Sequence, residues 1–156
     1  MIKLVRIDYR LLHGQVVFAW SKALNITRTI VVNNEAATDE FKKMSLNLSK
    51  PSGMKLNIFS VEEVLARMPK IEQLNDNVML IFGNTQETLA FCEAYPSIKE
   101  INYGGIPKKE GAKEFSKAIH LTPSEIEDSK KLSQLGIKLF MQQVPTSKRE
   151  ELNNKI

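Results

Sequence analysis

Apolar and polar positions follow two different periods along this chain, and segments of the two kinds alternate. Short runs of apolar, often β-branched residues predict seven strands, at residues 2–7, 29–34, 54–59, 77–82, 98–103, 117–121 and 137–143. The segments between them carry apolar residues every three or four positions, as amphipathic helices do, and lie at residues 14–24, 35–48, 60–69, 85–95 and 123–136. This alternation predicts an α/β fold: a mainly parallel, doubly wound sheet of about six to seven strands with helices on both faces, whose last strands can form an antiparallel edge.

Capping motifs and turn residues set several of these bounds. The sequences S-V-E-E at Ser60 and T-P-S-E at Thr122 are capping boxes, in which the hydroxyl and the carboxylate satisfy backbone N–H groups at the helix start. Pro69 is expected to stop the first of these helices, and Gly136 to end the second. A third box over residues 147–150 predicts a final short helix.

The distribution of apolar residues indicates which elements are buried. Strand 77–82 is the most apolar and is predicted to be central, covered on both faces. On the first helix Val16, Trp20 and Leu24 share one face, and Trp20 is expected to lie in the core against the sheet; on the second helix Phe41, Met44 and Leu48 share one face. By contrast, residues 106–116 are polar and lysine-rich, which indicates a functional loop or a small hairpin.

Composition is typical of one globular domain, residues 1–156, and narrows its class. The chain is 42% hydrophobic and 26% charged, and no apolar run approaches the roughly 20 residues of a membrane-spanning helix, so neither membrane insertion nor a signal peptide is expected. The net charge is +4, with acids interspersed among the lysines, which argues against a nucleic-acid partner. The single cysteine, Cys92, allows no intrachain disulfide, fits a reducing cytoplasm and is expected to be a buried structural thiol.

Common cofactor and metal motifs are missing. The chain has no G-x-x-x-x-G-K-[ST], G-x-G-x-x-G or G-x-S-x-G sequence, which disfavours nucleotide, dinucleotide and serine-hydrolase sites. One cysteine and two histidines far apart in sequence give a zinc site little to build on, and His120, in the strand-like K-A-I-H-L, is expected to be structural. We therefore expect neither a cofactor nor a metal.

The stretch V-R-I-D-Y-R-L-L-H-G-Q-V-V concentrates the available chemistry. Asp8, Arg10 and His13 follow the first strand at a strand-to-helix turn, where open α/β sheets place their ligands. Because imidazole is largely unprotonated at neutral pH, a ring nitrogen of His13 can attack phosphorus, and the following helix offers free N–H groups and a positive dipole end to a phosphoryl group. Arg10 suits phosphate oxygens, Gly14 allows a close backbone approach, and Asp8 can accept from His13 or Arg10. The alternative is that His13 only caps the helix or packs, and that the charges belong to a solvated loop.

The same stretch resembles the active-site loop of a known family. R-I-D-Y-R-L-L-H-G-Q-V is similar to R-[I/V]-D-[D/E]-R-L-[I/L]-H-G-Q-V, the loop of the enzyme IIB subunits of the bacterial sugar phosphotransferase system, mannose/fructose/sorbose class. The resemblance covers nearly the whole chain, since N-N-E-A-A-T-D, I-N-Y-G-G-I and Q-Q-V-P also lie where the family has its counterparts. It implies a mainly parallel α/β sheet with helices on both faces.

The resemblance also implies a role for each residue of the loop. His13 would receive a phosphoryl group on Nδ1 from a phosphohistidine of enzyme IIA and pass it to a sugar imported by the membrane subunits IIC and IID. Arg10 matches the family arginine that steadies the phosphoryl group, and Asp8 matches the aspartate beside it. Gly14 and Gln15 match the helix-start positions. Such a subunit would work in the cytoplasm, peripherally associated with the membrane transporter subunits.

Tyr9 departs from the family pattern, which usually has a second acid at this position. Without that carboxylate, Arg10 is less neutralised, which favours a phosphoryl group and can alter docking to the IIA partner. The residues that end neighbouring strands and can border the loop are Asn33, Asn34, Gly83 and Thr85.

Two other functions fit a scaffold of this kind. A non-catalytic regulatory or docking module would bind partners without taking up a phosphoryl group. A flavodoxin-like protein would bind a nucleotide or flavin, and the missing glycine-rich phosphate loop counts against it. The resemblance leaves the transported sugar open among mannose, fructose, sorbose, glucosamine and N-acetylgalactosamine, and leaves the oligomeric state open as well.

Overall fold

Nine strands and six α-helices make up the computed structural model, which describes residues 1–156. The strands are β1 (Ile2–Asp8), β2 (Arg28–Val32), β3 (Lys55–Phe59), β4 (Val78–Phe82), β5 (Glu100–Gly105), β6 (Lys113–Ser116), β7 (Ile119–Leu121), β8 (Lys138–Met141) and β9 (Glu150–Glu151). The helices are α1 (Gly14–Leu24), α2 (Asn34–Thr38), α3 (Glu40–Ser49), α4 (Val61–Glu72), α5 (Thr85–Ala94) and α6 (Pro123–Gln134), and a 3₁₀ turn (Asn153–Lys155) ends the chain. None of the helices is long and apolar enough to cross a membrane.

Seven of the strands form one sheet in the order β3-β2-β4-β1-β5-β8-β9. All neighbours are parallel except β8 and β9, which pair antiparallel at the edge. The predicted fold class is therefore confirmed, including the antiparallel edge. The connection from β1 leads toward β2, whereas the connection from β5 leads toward β8, so the strand order reverses between β1 and β5. In open α/β sheets, that reversal opens a crevice at the carboxyl ends of the two strands.

Helices cover both faces of this sheet and create two separate cores. On one face, α1 packs through Val16, Val17 and Trp20, and α3 through Leu46. The other face is covered by α4, α5 and α6 and holds the larger core cluster. Strand β4 lies between β2 and β1 with every residue fully buried, as its continuous apolar sequence predicted.

The second predicted helix is wrong in its bounds, and its apolar face does not lie on the sheet. Asp39 breaks it into α2 and α3, because the Asp39 backbone is extended (φ −113°, ψ 102°) and its carboxylate accepts from the amides of Phe41 and Lys42 to cap α3. The new start turns α3 so that only Leu46 is buried against the sheet. The three apolar residues predicted to share one face are exposed, namely Phe41, Met44 and Leu48.

The end of α4 also differs from the prediction. The helix begins with the expected Ser60 capping box but continues through Pro69 to Glu72. Pro69 lies in the last turns of α4, where a missing N–H removes a single intrahelical hydrogen bond, and buried Met68 and Ile71 on either side of it anchor the turn to the core.

Two predicted elements near the end of the chain, the sixth strand and the final helix, differ from the structure. The predicted sixth strand forms β7, which pairs antiparallel with β6 in a hairpin outside the main sheet, so residues 106–116 hold part of a small hairpin. The final helix expected from residue 147 is absent, because the Ser147 hydroxyl accepts from the Val144 amide and closes a turn. The chain then returns as β9, which pairs with β8 at the end of the sheet.

Cys92 lies on α5 inside the larger core and is expected to be chemically silent. It is 1% exposed, and burial raises the pKa of its thiol to about 12. Because the thiolate is the reactive form, Cys92 should resist Ellman's reagent at pH 8 in the folded protein and react fully in denaturant. Rapid labelling of the folded protein would contradict this burial.

Candidate functional site

The loop from Tyr9 to His13 leaves β1 at the carboxyl edge of the sheet, beside the crevice between β1 and β5. The Tyr9 amide donates to the carbonyl of Gly105 (3.0 Å), and the Leu11 amide donates to the carbonyl of Asp8 (2.8 Å). Leu11 has a left-handed backbone (φ 60°), which is costly for a residue with a side chain. The loop is therefore held in one conformation by bonds to the sheet at its start and by the helix at its end.

His13 is the N-cap of α1 and is exposed. Its backbone is extended (φ −118°, ψ 116°), and its carbonyl accepts from the amide of Val17 (2.9 Å) as the first bond of the helix. The imidazole makes no capping bond, and no acidic side chain stands in the first turn of α1. The free ring thus lies beside the positive end of a helix whose first N–H groups are available to an anion.

Asp8 and Arg10 form a bidentate ion pair at the start of this loop. The Asp8 carboxylate is buried and accepts from the Arg10 backbone amide (3.0 Å), from Nε (3.2 Å) and from Nη2 (3.3 Å). Hydrogen bonding to Asp8 raises the pKa of Arg10, although partial burial opposes the shift. Nη1 of Arg10 makes no hydrogen bond within the protein, so this side of the guanidinium can bind an anion.

The structure decides between the two donors expected for Asp8. The sequence allowed its carboxylate to accept from either His13 or Arg10, but all its bonds go to Arg10 and to a second arginine, Arg6. Asp8 therefore orients Arg10 and does not orient the imidazole.

Arg6 is the site residue that sequence reasoning missed. It is 1% exposed, and its guanidinium donates to Asp8 Oδ2 (3.0 Å), to Asn102 Oδ1 (2.6 Å) and to the carbonyl of Gln142 (3.3 Å). Burial lowers the pKa of Arg6, while the Asp8 charge works in the opposite direction. The available signal was the spacing R-I-D at the end of a largely apolar strand, which places both charges on one face of β1.

Two glycines of β5 make room for these charges. A side chain on Gly104 would overlap the Arg6 guanidinium, and one on Gly105 would press against Asp8 at 3.2 Å. Both glycines of this pair are the last residues of β5. Their structural role is to let β5 lie directly against two buried ionic side chains.

Of the four strand-end residues predicted to border the loop, two lie at the loop and two make other contacts. Gly83 borders the loop, since an added side chain there would meet Leu11 and Asn33 at 3.0 Å, so Asn33 lies at this edge as well. The other two are used elsewhere: Asn34 caps α4 by accepting from the Val61 amide, and Thr85 bonds Asp128.

The two predicted helix-start positions carry little packing constraint. A methyl group on Gly14 would meet only the Ser49 carbonyl, at an ordinary 3.7 Å, so packing alone does not demand glycine there. Gln15 is exposed in the first turn of α1. What both residues offer at this helix start is a backbone N–H group that has no partner within the helix.

Comparison with known proteins gives a consistent result along the whole chain. The family model described as the PTS system sorbose subfamily IIB component matches residues 2–156. The sorbose-specific EIIB component from Klebsiella pneumoniae is 34% identical over 155 residues, which is 99% of this chain and 94% of that protein. The mannose-specific EIIAB component from Escherichia coli is 33% identical over 146 residues, which is 94% of this chain and 45% of that longer protein.

A solved structure agrees in fold. The crystal structure of the IIBSor domain of the sorbose permease from Klebsiella pneumoniae matches with a TM-score of 0.91 and 33% identity, covering 99% of this chain and 95% of that one. The matched region spans the loop, the crevice and every element that positions them. The chain therefore belongs to the sorbose subfamily of phosphotransferase-system IIB components, a family of transferases in sugar transport.

Proposed function

We propose that His13 carries the phosphoryl group, receiving it from a phosphohistidine of enzyme IIA and passing it to a sugar bound by the membrane subunits IIC and IID. The observation that carries this proposal is the free, exposed imidazole at the N-terminus of α1. A histidine that capped or packed would use its ring in a hydrogen bond or bury it. Without such a contact, the ring is accessible to the donor protein in the first transfer and to the sugar in the second.

The chemistry needs only the exchange of one bond at phosphorus in each step. A ring nitrogen of His13, Nδ1 by analogy with the family, attacks the phosphorus of the donor. The N–P bond of the donor breaks, and its imidazole leaves with the electron pair. In the second step a sugar hydroxyl oxygen attacks the same phosphorus, the hydroxyl proton is lost, and His13 leaves as a free imidazole. No cofactor or metal is required at either step.

Arg10 and the start of α1 would bind the phosphoryl oxygens. Asp8 holds Nε and Nη2 of Arg10, which fixes the guanidinium plane and leaves Nη1 free. The N–H groups of Gly14 and Gln15 belong to the first turn of α1 and have no partner within the helix. Such fixed donors stabilise a negatively charged transition state without reorganisation, which is the main electrostatic contribution in phosphoryl transfer.

The direct test is incubation with phosphorylated IIA, followed by intact mass spectrometry and peptide mapping. We expect one phosphoryl group, stable in base and lost in acid, on the peptide that contains His13. Phosphorus NMR of the product would distinguish Nδ1 from Nε2. A phosphoryl group mapped to the peptide of His120, or none at all with a competent donor, would overturn the proposal; the second result would favour a non-catalytic docking module.

Replacing Arg10 with lysine tests its proposed role. Lysine keeps the charge but can bond either Asp8 or the phosphoryl group, whereas Arg10 can bond both at once. We expect transfer from IIA to slow by about 10²-fold, the usual cost of losing one oriented donor, with little change in thermal unfolding. Stopped-flow or quenched transfer assays measure the rate. A lysine variant as fast as the wild type would show that Arg10 does not steady the phosphoryl group.

A further inference from the structure

A positively charged cleft lies beside the loop from Tyr9 to His13, in the crevice between β1 and β5. Its walls include Tyr9 and Arg10 from the loop, Lys108 from the segment after β5, and Lys117 and His120 from the β6-β7 hairpin, and it encloses about 410 Å³. We call this set the cationic cleft. The mechanism above uses Arg10 of this set and leaves the remaining four residues without a role.

The charges of the two lysines of the cationic cleft are not neutralised within the protein. No carboxylate is among its lining residues. Lys108 and Lys117 are exposed and form no ion pair, whereas Lys109, next to Lys108, is paired with Glu125 at 2.9 Å. Two unpaired lysines next to Arg10 produce a local positive potential that the modest net charge of the chain does not reveal.

The two remaining side chains of the cationic cleft are Tyr9, which is uncharged, and His120, which is polar. Tyr9 is 52% exposed, and its ring lies against the Arg10 guanidinium at 5.5 Å. His120 is held by Glu114 through Nε2 (3.2 Å), while its Nδ1 is buried with no partner. A carboxylate at the position of Tyr9 would cancel part of the charge, and this chain has none there.

The cationic cleft lies within the area that any protein donor must cover. Tyr9 and Arg10 belong to the same five-residue loop as His13. A specific protein interface buries about 800 Å² on each partner, so a donor centred on His13 extends well beyond the loop. We propose that the cationic cleft docks a carboxylate-rich surface of the phosphoryl-donor protein, and that Lys108, Lys117 and the uncharged Tyr9 select a donor with an acidic face. This inference rests on the proposed function of His13.

A protein surface fits the cationic cleft better than a small anion does. Lys108 and Lys117 are exposed, flexible side chains at the rim, and such charges contribute chiefly to the rate and selectivity of encounter between proteins. The Nη1 atom of Arg10 is already assigned to the phosphoryl group on His13. The carboxylates of the donor would therefore meet the lysines while its phosphohistidine meets His13.

The test is the KM for phosphorylated IIA in charge-reversed variants. Lys108→Glu/Lys117→Glu should raise KM at least tenfold at low salt with little change in kcat, and the effect should shrink as salt screens the charges. Tyr9→Glu should raise KM in the same direction. The matched control is Lys130→Glu/Lys131→Glu, which makes the same change of charge on exposed residues late in α6, toward the opposite edge of the sheet.

A small phosphoryl donor, phosphoramidate, separates the possible outcomes. If the cationic cleft docks a protein, phosphoramidate should label His13 equally fast in the wild type and in the cleft variant. An unchanged KM for IIA, or an equal effect of the control variant, would overturn the docking inference and leave the proposed function intact. Equal losses with IIA and phosphoramidate would show that the lysines act on the phosphoryl anion, and would also overturn it. Failure of both donors to label the wild type would refute the proposed function itself.

Discussion

Replacing His13 with asparagine is expected to abolish phosphoryl uptake and, at the same time, to leave the protein as stable as before or more stable. His13 occupies the N-cap of α1 but makes no side-chain capping bond. Asparagine is among the best N-cap residues, and its side-chain oxygen can accept from the amide of Val16 in the first turn. We expect a gain of roughly 0.5–1 kcal/mol in the free energy of unfolding, with no acid-labile phosphoryl group after incubation with phosphorylated IIA.

Two measurements on the same sample check this result, urea unfolding and intact mass spectrometry. The matched control is His120→Asn, which alters the only other histidine and should keep phosphoryl uptake. Uptake by the His13 variant would refute its assignment as the acceptor. A large loss of stability in that variant would instead show that the imidazole makes a structural contact, contrary to its exposed position.

Replacing Asp8 with alanine is expected to cause the largest loss of stability of any change at this site. Asp8 is the only carboxylate that bonds the buried Arg6, and the two side chains are 1% exposed. Removal of one partner of a buried ion pair leaves the other charge without compensation, which typically costs 3–5 kcal/mol, on the order of the whole stability of a marginal domain. Phosphoryl transfer from IIA to the Asp8→Ala variant should also slow, since Asp8 accepts every side-chain hydrogen bond that orients the Arg10 guanidinium.

Urea unfolding of the Asp8→Ala variant measures this cost. Glu100→Ala is the control, because the Glu100–Arg149 pair has side chains that are 50% and 44% exposed and should contribute at most about 1 kcal/mol. The double variant Arg6→Met/Asp8→Ala should recover part of the loss, since it removes the uncompensated charge as well. If Asp8→Ala costs no more than Glu100→Ala, the buried ion pair is not the element that holds this end of β1.

Local sequence signals predicted the elements that positioned the site. The change from an apolar run to helical periodicity was enough to predict that β1 is followed by a helix. Both bounds of α1 are as predicted. His13 therefore fell at the strand-to-helix turn in the prediction as it does in the structure. The capping boxes at Ser60 and Thr122 were also confirmed, because each depends on residues only three positions apart.

The features that the sequence did not reveal depend on residues far apart along the chain. The partner of Arg6 on β5, Asn102, is 96 residues away, and the carbonyl of Gln142 is 136 residues away. The cationic cleft is lined by the loop after β1 and by a hairpin more than a hundred residues later. These two segments are neighbours only because of the strand order in the sheet. The exposed face of α3 was missed for a different reason, since periodicity shows that a helix has an apolar face but not whether that face meets the sheet.

The position of β1 has a consequence for how local unfolding affects this protein. Proteins open in cooperative units, and sheet edges open far more readily than the buried centre. Here the loop from Tyr9 to His13 is attached to a strand with a neighbour on each side, and the amide of Tyr9 is itself bonded to β5. The two-residue strand β9 and the far strand β3 can therefore fray without disturbing Asp8, Arg10 or His13. We therefore expect β1, which carries the site, to be among the last parts of the chain to exchange its amide hydrogens, so that the loop keeps its conformation between encounters with a partner.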